Sequence, residues 1–381
     1  MLKFIFLLVF LIYLTRLFTA SPLLPKNYNP QDLVSYTFIA LDTPVLVGSK
    51  MRYQLGHTIL EWQSYEPLKI KNRYTVTGKL SSTSKLGIIT NLKLEVQETK
   101  LHKDIKLNLG EQLVANISLL RQHLTSRLAQ ALPEPESSLA AGILLGVKRD
   151  LSYDFRSSLI KSGTLHTVAA SGYNVNLVAR YIISFTSLFF TRNLSLFFAG
   201  CGIILFCILA GSSAAVIRAG LMGALILLGT ALGRQKDAGY LLFVAAAFML
   251  LFDPLYLFDV GWQLSIAATF GILYLEPWLS HKFALPNKFK TPNHILQNYW
   301  WPTLAATLTT APISYLTFGQ LSFFGPFCNL LILPTIPLIM ALTTIFLITS
   351  TLVPALSYFL APFLYLPLTY FVYIVSFFGS L

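Results

Sequence analysis

Apolar positions along this chain follow three successive patterns. Residues 4–20 (FIFLLVFLIYLTRLFTA) form one uninterrupted run behind Lys3, followed by small residues in the stretch TASP. The run is nearly long enough to cross a bilayer and Arg16 can snorkel to the interface, which favours an uncleaved membrane anchor over 1–20, with a cleaved signal peptide as the alternative. Residues 31–108 carry short alternating runs such as Arg73–Leu80 (RYTVTGKL) and Leu86–Val96 (LGIITNLKLEV), with turn signals at Val47-Gly48-Ser49 and Ser81-Ser82-Thr83-Ser84. That alternation predicts strands, and therefore a small soluble β domain. Residues 111–132 then place Leu113, Ile117, Leu120, Leu124, Leu128 and Leu132 at helical steps, with Arg121, Gln122 and Arg127 on the other face, until Pro133 and Pro135 intervene. Such an amphipathic helix lies on a bilayer or docks on a bundle.

Residues 137–381 change pattern again, to apolar blocks such as Leu194–Gly211, Ala214–Gly233 and Gly261–Leu279. A helix of about 20 residues spans roughly 30 Å of hydrocarbon, and this region has room for roughly seven or eight such spans. The chain is therefore expected to be mostly α, a polytopic helical membrane protein carrying a small β domain. With Lys3 in the cytoplasm, the anchor puts the β domain outside, and a span near 166–190 returns to Arg192. Later pairs of spans deliver Arg234 with Lys236, then Lys282, Lys288 and Lys290, to the inside. All these short basic loops fall on one side, as the positive-inside rule requires, and a long segment such as the β domain translocates largely regardless of its charge.

Composition agrees. Apolar residues make up 55% of the chain and charged residues 12%, against roughly 25% in a soluble domain, so a single water-soluble core is excluded. The net charge of +12 suits acidic lipid headgroups or a polyanion, but basic loops belong to any such membrane protein, so charge alone selects no substrate. Cys201 and Cys207 share one apolar block and Cys328 lies in another, which makes them packing residues rather than a disulfide framework. No G-x-x-x-x-G-K-[ST] loop is present, so an ATP-driven motor would be a separate chain.

Polar islands interrupt the apolar blocks, and these carry the chemistry, because a charged group at mid-bilayer costs roughly 2.5 to 3.5 kcal/mol even on the lenient scale. Gly163–Val175 reads GTLHTVAASGYNV, and three further segments follow: GSSAAVIRAG (Gly211–Gly220), DPLYLFDVGWQLSIAATFGI (Asp253–Ile272) and TAPISYLTFGQLSFFGPFCNLLILPTIP (Thr310–Pro337). In order and content these four blocks resemble the ComEC-type competence proteins. His166, Ser171 and Gly172 match the family's hallmark segment, whose second histidine is here Asn174, a residue that keeps hydrogen bonding and loses titration.

The resemblance implies a channel passing single-stranded DNA inward across the plasma membrane during natural transformation, with an OB-like outer β domain. It implies no catalytic residues and no cofactor. The implied partners are single-stranded DNA, a competence-type DNA receptor, a separate ATP-dependent motor, membrane lipid and a second copy in a homo-oligomer. Full-length relatives often end in a metallo-β-lactamase-like domain, whose His-x-His-x-Asp-His cluster is absent from this sequence, so no metal site is expected and the chain is read as a short form. The competing function is a transporter of another anionic solute or lipid, using the same buried polar groups.

Individual residues admit two readings each. On one continuous helix, His166 and Ser171 stand about 140° apart, too far to form a nucleophile and base pair. On the same helix, His166 and Asn174 share a face and either line a hydrated seam together or are a polar pair satisfied inside the bundle. Arg218, placed near mid-span, either pairs with Asp259 or Asp253 or faces the path to meet phosphate. Asp259 and Gln263 form one polar ridge at a four-residue step. Asn329 sits among Gly319, Gly325, Pro326, Pro334 and Pro337, a density of breakers that predicts interrupted helices around a cavity. In the β domain Tyr53, Trp62, Tyr65 and Tyr74 lie among basic residues that include Arg52 and Arg73, and either stack bases or form the core.

Overall fold

The computed structural model describes residues 33–40, 44–47, 50–55, 58–62, 68–85, 88–102, 107–147, 151–168, 171–211, 213–233, 237–283, 299–319 and 322–380. The anchor expected at 1–20, Tyr65, Arg234, Lys236, Lys288 and Lys290 lie outside these. Two compact units emerge, Met1–His123 with Leu250–Phe258, and Leu124–Met249 with Asp259–Leu381.

The first unit contains a mixed sheet of β1 (Leu33–Ile39), β2 (Val45–Val47), β3 (Lys50–Leu55), β4 (Thr58–Trp62), β5 (Arg73–Lys85) and β6 (Ile88–His102) in the order β1-β5-β6-β4-β3-β2. Only the β4–β6 pair is parallel. The expected turn at Ser81–Ser84 is not one. Those residues continue β5, Ser81–Thr83 opposite Asn91–Lys93 and Ser84 opposite Ile89 after a register shift at Thr83/Ser84, because hydroxyl side chains fit a strand as well as a turn. The inner face closes over Phe38, Tyr53, Leu60, Trp62, Tyr74, Val76 and Leu94.

The helices follow the sheet in the chain, and most of them belong to the second unit. In α1 (Leu109–Ala131) the amphipathic stripe divides: Leu128 and the following Leu132 enter the core, whereas Leu113 and Leu120 stay exposed. Then come α2 (Glu136–Leu145), α3 (Tyr153–Lys161), the single turn α4 (Leu165–Val168), α5 (Gly172–Thr186), α6 (Arg192–Leu209), α7 (Ala214–Ala231) and α8 (Ala238–Phe252). A 3-10 segment, Pro254–Phe258, precedes α9 (Val260–Phe270), which continues through a π-helical segment, Gly271–Leu275, into α10 (Glu276–Lys282). The series ends with α11 (Trp301–Phe318), α12 (Gly325–Ile332), a 3-10 turn at Leu333–Thr335, α13 (Ile336–Leu352) and α14 (Pro354–Ser380).

Among the described residues four helical stretches are long and apolar enough to cross a membrane: Arg192–Leu209, Ala214–Ala231, Gly325–Leu352 and Ala355–Ser380. Large side chains such as Phe197, Ile204, Leu228, Ile348 and Phe359 point outward from them, as lipid contact requires. The protein is a multi-pass membrane protein. The span expected near 166–190 is instead interrupted at the extended Ser171 and resumes as the 15-residue α5, roughly 22 Å long. An earlier helix end precedes α4: Gly163, at φ 70°, follows α3 in the left-handed conformation, and the Thr164 amide reaches back to the Leu159 carbonyl at 2.9 Å.

Candidate functional site

The break separates the motif residues that a continuous helix would have aligned. His166, on α4, is exposed, and its Nδ1 lies 3.1 Å from the Gly163 carbonyl oxygen. Ser171 is extended at the start of α5 and donates its hydroxyl to Asn174 Oδ1 at 3.3 Å. The two are therefore not a nucleophile and base, even though the helix is interrupted between them. The shared seam of His166 and Asn174 is also corrected. Asn174 is buried, 1% exposed, and its Nδ2 donates to the Ile143 carbonyl at 3.0 Å, tying α5 to the end of α2.

Arg218 is the fifth residue of α7, one turn from its start rather than at mid-span. It is 7% exposed. Its Nε donates to Ser265 Oγ on α9 at 2.8 Å, and Nη1 contacts Met222 Sδ at 3.1 Å. Nη2 lies beside Gly172, where a Cβ would stand 3.3 Å from it, so glycine at the first position of α5 lets the guanidinium approach the backbone. Among the described residues no carboxylate pairs with Arg218.

The expected acidic partners are used as caps. Asp259 precedes α9 in an extended conformation and accepts the Trp262 amide at 2.6 Å, while Asp253 accepts the Leu255 amide at 3.0 Å. Asp259 thus serves as the cap of α9, with Gln263 half-buried in the first turn of that helix. Asn329 lies in the short α12, 2% exposed, with its Oδ1 lacking a hydrogen-bond partner among the described residues. Helix interruption on both sides of it follows the expected breakers, from Gly319 in the left-handed region to the 3-10 turn containing Pro334.

In the β domain the structure assigns Tyr53, Trp62 and Tyr74 to the core at 5%, 7% and 6% exposure, so their rings pack in the fold and offer no stacking platform. The rings of Tyr53 and Tyr74 lie 5.2 and 6.1 Å from that of Phe38. Arg52 is paired with Glu61 at 2.6 Å, and Lys93 meets the other oxygen of that carboxylate at 3.0 Å. Burial alone would raise the Glu61 carboxyl, but the hydrogen bonds from Lys93 and Arg52 outweigh it and hold the group below its ordinary range. Arg73 remains exposed.

A model of the competence protein family matches residues 143–381, from the end of α2 through α14. The chain belongs to that family. ComE operon protein 3 of Bacillus subtilis (strain 168) is 26% identical to it over 216 residues, which are 56% of this chain and 26% of that protein. The match thus spans about a quarter of the relative's length. No solved structure matches.

Sequence reasoning about this competence-family chain missed the partners of its motif residues. Ser265 lies 47 positions from Arg218 and the Ile143 carbonyl 31 from Asn174, separations that no local periodicity reports. It also missed a polar line on α5, Asn176, Arg180 and Ser184, all exposed. Their regular four-residue step was the available signal.

Proposed function

We propose that this protein forms part of the membrane conduit through which a single DNA strand passes inward during natural transformation. The family match over residues 143–381 carries the reading. Arg218 supports it, because a buried cation with no carboxylate among the described residues is poised for a passing anion rather than committed to an internal ion pair. The conduit does no covalent chemistry; a DNA receptor outside and an ATP-dependent motor inside supply capture and force.

The β domain faces outward and is OB-like. Supporting this, β1 and β2 follow one another in the chain yet occupy opposite edges of the sheet. Counted as halves of one interrupted strand, they border both ends of a five-stranded order, the arrangement of a small Greek-key barrel. The exposed stripe of α1 at Leu109, Leu113 and Leu120 rests on lipid.

The test is deletion of the gene in a transformable host, scored by transformation frequency with labelled DNA bound at the surface measured in parallel. Loss of transformants with surface binding retained, restored by the gene in trans, is the expected result. Normal transformation in the deletion strain would end this reading.

A further inference from the structure

Helix α5 carries its polar residues in one line: Asn176, Arg180 and Ser184 are spaced four apart, and all are exposed. They line a cleft of about 360 Å³ whose opposite wall is Ile203, Gly223 and Ile226 from α6 and α7. A second cleft of about 570 Å³ adjoins it across Ile183, Ile226 and Leu227, and brings in Ser187, Arg192 and Thr230. The Arg192 guanidinium is held there by the Thr230 carbonyl at 3.0 Å. No acidic residue lines either cleft.

An arginine left against hydrocarbon costs several kcal/mol on any scale, so beside the spans α6 and α7 a line of donors needs water or a polar partner. Arg180 is the ninth of fifteen residues in α5. Among the described residues no carboxylate pairs with it. From Gly172, beside Arg218, to Arg180 and then Ser187, beside Arg192, the helix rises roughly 12 and then 10 Å. Three guanidinium groups are thus distributed along one helix with hydroxyl and amide donors between them.

We infer that this groove, along α5 between α6 and α7, is where the phosphodiester backbone of the single strand lies, with Arg180 and Arg192 as its phosphate contacts. The inference rests on the proposed conduit and adds its lining. The repeated positive and donor groups, without any acidic residue, complement an extended polyanion better than a single headgroup.

The experiment uses the full chain in nanodiscs of phosphatidylcholine with a fluorescent dT20 strand, titrated at several salt concentrations. Each phosphate contact on a single strand contributes about 0.7 to the slope of log affinity against log salt. Arg180→Gln and Arg192→Gln are expected to lower the slope by about that amount each, and the double variant by about 1.4. Arg180→Lys should keep the slope. Ser184→Leu, which fills the groove at an exposed position without removing charge, should weaken binding even if an arginine variant fails to accumulate. Unchanged slopes and unchanged Ser184→Leu binding, with wild-type binding intact, would overturn the groove and leave the conduit standing. No binding by the wild-type chain would overturn both. Phosphatidylglycerol that co-purifies with the wild type and is lost from the arginine variants, with dT20 slopes unaltered, would make the groove a lipid site and likewise overturn the inference.

Discussion

Replacing Asn174 by alanine tests whether this motif residue is structural. Helix α2 ends at Leu145, and Gly146, at φ 68°, turns its amide back to Gly142 at 3.1 Å while Val147 reaches Ala141 at 3.4 Å. The Ile143 carbonyl is among the last-turn acceptors that a helix cannot satisfy internally, and Asn174 Nδ2 supplies its donor at 3.0 Å. Ile143 is 0% and Asn174 1% exposed, so water cannot substitute. Stranding a buried carbonyl costs about 1 to 3 kcal/mol, and the space vacated by the amide adds to it. Asn174→Asp should be worse than alanine at neutral pH, because an oxygen would replace the donor facing that carbonyl. The assay is denaturant unfolding of the purified chain in mixed micelles, with exposed Asn176→Ala as a control expected within about 0.5 kcal/mol of wild type. If Asn174→Ala also unfolds within about 0.5 kcal/mol of wild type, the bond to Ile143 is not what holds α5 to α2, and Asn174 returns to the candidates for lining the path.

Two further outcomes concern the β domain, measured on a fragment of residues 30–110. Glu61 has its folded pKa below the ordinary 4.5, so its contribution to stability is fully present above about pH 4.5 and is lost as pH falls through the depressed value. Urea unfolding from pH 7 to pH 3 should show this loss, and Glu61→Gln should flatten it; a fragment with no acid-dependent loss would contradict the pairing with Arg52 and Lys93. Trp62→Ala should cost about 3 to 5 kcal/mol as a core truncation, whereas a ring free to stack on bases would lose DNA binding at unchanged stability.

The chain's own residue pattern was enough to establish the membrane class, the polar β domain before the helices, and the family. Each depends on local regularities: apolar blocks of span length, period-two alternation, and four motif segments in order. The breakers around Asn329 belong here too, since glycine and proline act on their own backbone. What failed were inferences that assumed regular continuation or named partners across the fold. His166 and Asn174 share a face only on an unbroken helix, and the extended Ser171, between the single turn α4 and α5, sets them apart. Asp259 was a plausible counter-ion for Arg218 until the backbone placed it at a helix start, where the nearest unmet donor, the Trp262 amide, takes its carboxylate. Tyr53, Trp62 and Tyr74 are aromatic among basic residues on any reading of the chain, and only closure of the sheet decides that the rings turn inward while the cations remain outside. Side-chain direction in a strand and side-chain partners between helices are properties of packing. Ser265 beside Arg218, and the groove that α6 and α7 complete along α5, exist only once distant segments have been brought together.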